Sequence, residues 1–339
     1  MKYKHIVITR PGGPDVLQMV KDDLPETQPG MVGVKILTAG VAFADVALRR
    51  GSYPGRAASP VTPGYDIVGV VDRLGADVTG FALGQRVAAL TGTGGYTEYM
   101  WLPVAELVPM PDGLDAAEAV SLVLDYVTAY QLLHRVAKVK DGERILIHGA
   151  AGGVGTALLQ LGKLSHLEMY GTASSPKQAL VSTLGGIPID YQHEDFVERI
   201  HSLTGDGVDV VFDSIGGENL ERSYRTLRAG GRLVGYGMRA SLKDGKHNPQ
   251  IGAESAAIRG RLQSLQDGRT VTSYFIGSLK ASHPHWYRED LTMLFNLLAQ
   301  QKIAPVIARR LPLAAAAQAN ELLEKSEVMG KIVLICNEE

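Results

Sequence analysis

The 339-residue chain has a single cysteine, Cys336. One thiol cannot close a disulfide within the chain or build a cysteine-rich zinc site, and such sparing use of cysteine fits a reducing compartment. An excess of one charge is also missing. Lys and Arg number 34 against 36 Asp and Glu, a net of −2 with no long like-charge run. Phosphate backbones require a basic excess or patch, so nucleic acid is not expected as the main partner. Long hydrophobic runs are absent too. The opening residues, 1–10, are too polar for a signal-peptide core. The uncharged stretch 145–162 contains His148, Gln160 and five glycines, which makes it a poor bilayer-spanning helix. The expected setting is the cytoplasm, with no membrane partner. Glycine, by contrast, is abundant: 39 residues, against an average near ~7%. Globular domains run to about 100–200 residues, so the length suggests two domains.

The rhythm of the chain changes near residue 115. Before it come short strand-like runs separated by turns, at 32–41, 65–71 and 84–90, with a short helix expected over 42–50. That spacing predicts a mostly antiparallel β unit. After it, 115–134 reads as helical. Strands at 144–148, 169–173, 208–213 and 232–236 then alternate with helices at 154–164, 176–184, 196–204 and 220–227. This βαβ alternation predicts a doubly wound parallel sheet. Residues 238–270 read as a loop with a short helix, 270–279 as a strand, 286–301 as a helix and 331–335 as a strand.

The most informative segment is His148-Gly149-Ala150-Ala151-Gly152-Gly153-Val154-Gly155. Ala150-x-Gly152-x-x-Gly155 is the dinucleotide fingerprint with alanine in first place, and it sits between a strand and a helix. Gly152 lets the backbone approach a pyrophosphate, Gly155 lets the helix pack on the sheet, and the helix start offers free N–H groups to phosphate. The end of the next strand selects the cofactor. An NAD site places Asp or Glu there for the ribose 2′-hydroxyl, whereas this chain has Ser174-Ser175-Pro176-Lys177. Two hydroxyls and a lysine suit a 2′-phosphate, so the expected cofactor is NADPH. Ser174-x-x-Lys177 also matches a serine-hydrolase fragment, but its companion motifs are missing. The close histidine pair His283 and His285 has no cysteine or carboxylate cluster beside it, and two ligands do not close a metal site.

Together with residues 40–45, 50–54, 63–69, 94–99, 125–130, 213–217 and 330–334, the glycine turn resembles the zinc-independent quinone oxidoreductases of the medium-chain dehydrogenase/reductase superfamily. The resemblance covers essentially the whole chain. It implies an α/β protein with a central Rossmann domain over 122–280, which binds NADPH. A GroES-like β-rich catalytic domain is assembled from 1–121 and 281–339, and the active site lies between the two. The resemblance places Thr128 near the nicotinamide. It places Ser174, Lys177 and Tyr191 near the adenosine phosphate, and Ala151, Gly152, Gly153 and Val154 along the pyrophosphate. Ser214, Gly216, Tyr236, Gly237 and Phe275 lie on loops passing the cofactor. Tyr53, Tyr65 and Asp125 are the catalytic candidates. Zinc alcohol dehydrogenases carry Cys where this chain has Ala42, His-Glu where it has Tyr65-Asp66, and a proton-relaying hydroxyl at Ala44. No metal is therefore expected.

The leading expectation is NADPH-dependent reduction of a quinone by a homodimer. One alternative is reduction of an enal or enone double bond on the same fold. Another is an NADPH-binding protein with a mainly non-catalytic role.

Overall fold

The two hydropathy rhythms fold into two different sheets. The computed structural model describes residues 2–53, 60–243, 246–248 and 250–337; Pro54, one of the resemblance marks, lies outside them. The chain divides into two units, one of Met1–Val127 with His285–Glu339, the other of Thr128–Pro284. The sequence reading puts these boundaries at 121/122 and 280/281. Among the described residues no helix is long and apolar enough to cross a membrane.

In the first unit a seven-stranded sheet carries the core. Its central strand, Met31–Val41, pairs antiparallel with Asp66–Leu74, with Tyr99–Pro103 and with Lys331–Ile335 from the other end of the chain. Val32, Val34, Ile36, Ile67, Ile332 and Leu334 are buried from these strands, so the C-terminal strand is held by its apolar face as well as by its backbone ladder. The expected helix over 42–50 is present at Phe43–Arg49.

This core also encloses charge. The Lys331 ammonium lies 3.0 Å from Asp66 Oδ2 and 3.4 Å from Asp125 Oδ2, with all three side chains buried. Gly40, which pairs with Val333 across the sheet, makes room for it. A Cβ there would overlap Asp66 Oδ2 and stand 2.5 Å from Lys331 Cε. Asp45 is buried nearby and accepts hydrogen bonds from Ala42 N (2.9 Å), Gly64 N (2.8 Å) and the Tyr96 hydroxyl (3.1 Å). Three carboxylates thus share one lysine. Burial pushes the Asp66 carboxyl up to about 7 and that of Asp45 to about 6, and it raises Asp125; Lys331 pulls all three back down. Burial alone would lower Lys331, but the carboxylates of Asp125, Asp66 and Asp45 outweigh it and hold its pKa above the ordinary value.

The second unit holds a six-stranded parallel sheet in the order Ile187–Asp190, Glu168–Ala173, Arg144–His148, Val208–Asp213, Leu227–Gly235, Thr270–Ser273. The chain leaves the middle of this sheet and winds outward in both directions, the doubly wound arrangement expected. Leu146, Tyr170, Val208, Val211 and Leu233 are buried from its strands.

Several local expectations are corrected. The run 115–134 is not one regular helix: Ala116–Ser121 and Val127–Tyr130 are α-helical, but Leu122–Tyr126 and Gln131–Val136 form widened π turns. Asp125 lies in the first of these. Each widened turn inserts a residue into the helical register, and such insertions cluster at functional sites. Within 238–270 there is a 14-residue helix, Gln250–Gln263, in place of a short one. The strand expected over 270–279 stops at Ser273, and Ile276–Ser282 is a helix. The helix expected to reach Leu227 ends at Arg225, because Leu227 already belongs to the next strand.

The buried acids give a testable pH dependence. A carboxyl whose pKa is raised by folding holds a proton that the unfolded chain has released. Stability is therefore lost as pH rises from the ordinary carboxylate value toward about 7. Lys331, raised in the folded state, adds to this loss only above its own ordinary range. Asp66→Asn removes the titration. The urea midpoint of D66N relative to the unmodified chain should rise between about pH 5 and about pH 8; parallel curves would contradict the assignment.

Candidate functional site

In the second unit the site starts where the buried strand Arg144–His148 meets the helix Gly153–Leu164. A Cβ at Gly155 would overlap the Gly149 carbonyl oxygen and stand 2.6 Å from Ala150 Cα, so only glycine lets the helix start this close to the turn. Gly152 is different. Its Cβ would meet only the Gly149 oxygen, at 3.4 Å, and its backbone is extended, open to any residue. Packing does not require glycine there, whereas the approach of an outside group does. The first turn of the helix leaves N–H groups without intrahelical partners, directed at that opening. Ala151 is buried, Gly152 is exposed, and Gly153 and Val154 are half-buried at the helix start.

The next strand, Glu168–Ala173, ends at Ser174, which caps a short turn over Ser175–Lys177; the Lys177 N–H donates to the Ser174 carbonyl at 2.8 Å. The expected hydroxyl pair is divided. Ser175 donates its hydroxyl to Asp190, at the end of the neighbouring strand. Asp190 is thus a carboxylate beside this loop that the sequence reading did not place there. It is already engaged, because it also meets His193 Nδ1 at 3.0 Å and accepts from Gln192 N at 3.1 Å. The bond from Ser175 and then that from His193 hold its carboxyl below the ordinary range.

Lys177 has a neighbour that sequence reasoning missed, Arg239. Burial, and then the Arg239 charge, lower the Lys177 ammonium. Burial also lowers Arg239, and Tyr191 opposes that shift. Lys177, Tyr191 and Arg239 therefore gather in one place although 62 positions separate the first from the last. Backbone bonds hold the arginine there: Arg239 N donates to Ser214 O at 3.1 Å and Ala240 N to Ile215 O at 2.9 Å. The signal available in the sequence was a cation two residues beyond Tyr236-Gly237, at a strand end on the same edge of the sheet. Two crowded, partly desolvated cations repel each other, and an anion placed between them relieves that cost.

Ser214 donates its hydroxyl to the His148 carbonyl at 3.1 Å. Gly216 is buried, while Tyr236 and Gly237 are half-buried just past the Leu227–Gly235 strand. A Cβ at Gly237 would meet the Ser214 carbonyl oxygen at 2.5 Å, so these two loops touch through backbone. Phe275 is half exposed at the start of the Ile276–Ser282 helix, and Thr128 is buried.

In the first unit the Tyr53 and Tyr65 hydroxyls lie 2.9 Å apart, their rings edge to face at 6.2 Å. Tyr96, by contrast, is fully buried with its hydroxyl on Asp45, a packed aromatic. The Asp125 carboxylate faces Lys331 in the buried cluster. Residues at the positions of zinc ligands in the alcohol dehydrogenases do not fit that metal. Ala42 offers a methyl group, Tyr65 a phenol bonded to Tyr53, and Asp66 a carboxylate held by an ammonium. Among the described residues no group of three His, Cys, Asp or Glu could hold a metal ion.

Comparison with known proteins agrees with this architecture. The family model for the alcohol dehydrogenase GroES-like domain matches residues 28–112, and that for the zinc-binding dehydrogenase matches 186–334. The chain is 32% identical over 339 residues to a synaptic vesicle membrane protein VAT-1 homolog of Danio rerio, covering 98% of this chain and 70% of that protein. It is 30% identical over 330 residues to the quinone oxidoreductase of Rattus norvegicus, covering 96% of this chain and 95% of the relative. The crystal structure of Escherichia coli quinone oxidoreductase complexed with NADPH superposes with a TM-score of 0.87 at 28% identity, covering 98% of this chain and 99% of that one. The chain belongs to the zinc-independent quinone oxidoreductase family of the medium-chain dehydrogenase/reductase superfamily.

Proposed function

We propose that this chain binds NADPH and reduces quinones with it, without a metal, as a homodimer in the cytoplasm. The observation that carries the reading is the convergence of Lys177, Arg239 and Tyr191 beside a glycine turn whose Gly152 is open to an outside group. A pyrophosphate has the helix start at Gly153 and Val154 to accept from, with Ala151 and Gly152 at its side. A 2′-phosphate has two cations, a phenol and the hydroxyl of Ser174. The described carboxylate beside this loop, Asp190, is already committed to Ser175, His193 and Gln192 rather than to an NAD ribose. Thr128, Ser214, Gly216, Tyr236, Gly237 and Phe275 complete the proposed nucleotide contacts. NADPH is crystallographically bound in the Escherichia coli relative, which supports the choice.

Bound NADPH supplies the hydride. The protein's own part is to position it and to meet the charge that develops on the acceptor oxygen. In place of a metal, the paired hydroxyls of Tyr53 and Tyr65 are assigned that task as hydrogen-bond donors. A quinone accepts electrons readily and needs less such help than a ketone. Asp125 acts here through Lys331, as a positioning group and not at the substrate. Homodimer formation has an available edge, since the strand Thr270–Ser273 ends its sheet and a second copy could pair with it.

Lys177→Ala and Arg239→Ala should each weaken NADPH binding by about 1.5–3 kcal/mol, the scale of a charged hydrogen bond. NADH should be affected far less, and an equal loss for both nucleotides would remove the 2′-phosphate assignment. Activity is tested by following NADPH oxidation against a panel of quinones and a panel of enals and enones. Turnover confined to the quinones is expected. Preference for the conjugated carbonyls would reassign the substrate, and tight NADPH binding with no turnover on either panel would favour a non-catalytic role.

A further inference from the structure

A group of buried polar side chains beneath the glycine turn serves none of the contacts named so far. His148 ends the first strand of the second unit, beside Thr172 in the register. Its Nδ1 lies 3.1 Å from Thr172 Oγ1 and its Nε2 3.0 Å from Ser223 Oγ. Ser223 Oγ donates to Asp213 Oδ2 at 2.6 Å. All four side chains are buried.

The direction of every bond in this group can be deduced. Asp213 Oδ1 accepts from Ile215 N at 2.7 Å and Gly216 N at 3.0 Å, and Oδ2 accepts from Asn219 Nδ2 at 2.9 Å. With Ser223 that makes four donors, which fill the four lone-pair sites of a carboxylate. The single hydroxyl hydrogen of Ser223 is therefore spent on Asp213, and toward His148 the serine can only accept. His148 Nε2 must then carry the proton. In a neutral ring Nδ1 becomes the acceptor, and Thr172 Oγ1 donates to it. The remaining capacity of Thr172 Oγ1 accepts from Gly149 N at 3.2 Å. Neutrality of the ring follows from its surroundings. Burial lowers the His148 pKa; the Asp213 charge opposes this and Arg222, stacked on the Phe196 ring that packs against His148, reinforces it.

We propose that His148 is a positioning residue: as the Nε2–H tautomer it joins the glycine turn to the loop after the Val208–Asp213 strand through one directed chain of hydrogen bonds. The chain runs from Gly149 N–H through Thr172, His148 and Ser223 to Asp213, which in turn holds Ile215 and Gly216. Two loops assigned to the nucleotide are thereby fixed relative to each other. In that respect the inference rests on the NADPH reading, although the network exists without the nucleotide. A serine, a histidine and an aspartate in contact resemble a hydrolytic triad, but Ser223 donates to Asp213 and not to His148, so no nucleophile is activated.

The test uses the full chain with Thr172→Val and Ser223→Ala, each removing one hydroxyl at an opposite end of the histidine. Nitrogen NMR of His148 should show a protonated Nε2 and a bare Nδ1; a ring protonated at Nδ1, or at both nitrogens, overturns the proposal. Amide hydrogen exchange then reads the coupling. Thr172→Val should speed exchange at Ile215 and Gly216, and Ser223→Ala at Gly149, each by about fivefold or more. Loosening confined to the near side of each substitution means that the loops are not joined, which overturns the proposal. With NADPH, both variants should bind about tenfold more weakly than the unmodified chain; unchanged affinity in both counts against positioning. If the unmodified chain itself fails to bind NADPH, the functional reading falls, while the NMR and exchange results still decide the network.

Discussion

The second unit depends on one close approach, the start of a helix laid directly on the turn that precedes it. Without a side chain at Gly155, the first turn of the Gly153–Leu164 helix comes down on the Gly149 carbonyl and Ala150. That contact sets where the unpaired N–H groups at the helix start point. Among the described residues only the Gly149 oxygen comes within 4 Å of a Cβ placed on Gly152, and a helix start beside such a glycine suits an anion. The rest of the nucleotide assignment is built around this point. The strand-end loops carrying Lys177, Ser214 and Arg239 rise from the same edge of the parallel sheet, and hydrogen bonds of His148, directly below the turn, run from the turn toward the loop that carries Ser214.

The first unit solves a different problem. Where the zinc dehydrogenases place metal ligands, this chain has a methyl group, a phenol pair and a carboxylate bound to an internal lysine. Lys331 arrives on the last strand and reaches Asp66 only because Gly40 has no side chain to block it. Removing one partner of such a buried pair would leave an uncompensated charge, typically costing about 3–5 kcal/mol. The cluster therefore binds the two ends of the chain into one unit by charge as well as by the apolar face of the sheet. Burial first, and for Asp66 the neighbouring carboxylates after it, raises these carboxyls toward neutrality, which is why the unit's stability is expected to vary with pH there.

Much of this was legible in the sequence. The turn over 149–155 carries its signature in consecutive residues, and the βαβ alternation around it fixes a parallel sheet. Other parts had no local signature. The helix Gln250–Gln263 buries only Ser255 and Leu262, so it shows no apolar stripe to reveal it. The strand Ile187–Asp190 is four residues long and contains Pro188, which an edge strand tolerates and a pattern search rejects. The apolar run Tyr274-Phe275-Ile276 reads equally as strand or helix, and only the tertiary setting decides. Arg239 was hidden because its partner lies 62 residues away and the two meet only when the sheet forms. Asp125 was named as a catalytic candidate through the resemblance, but its partner lysine is more than 200 residues distant and had no local signal.

The central claim is that the cluster of Lys177, Arg239 and Tyr191 recognises a 2′-phosphate. The most direct measurement is an equilibrium titration of the unmodified chain with NADPH and with NADH, two ligands that differ only in that group. The account predicts that NADPH binds at least about tenfold more tightly, with the difference shrinking as salt rises. Equal affinity for the two nucleotides, or tighter binding of NADH, would contradict it.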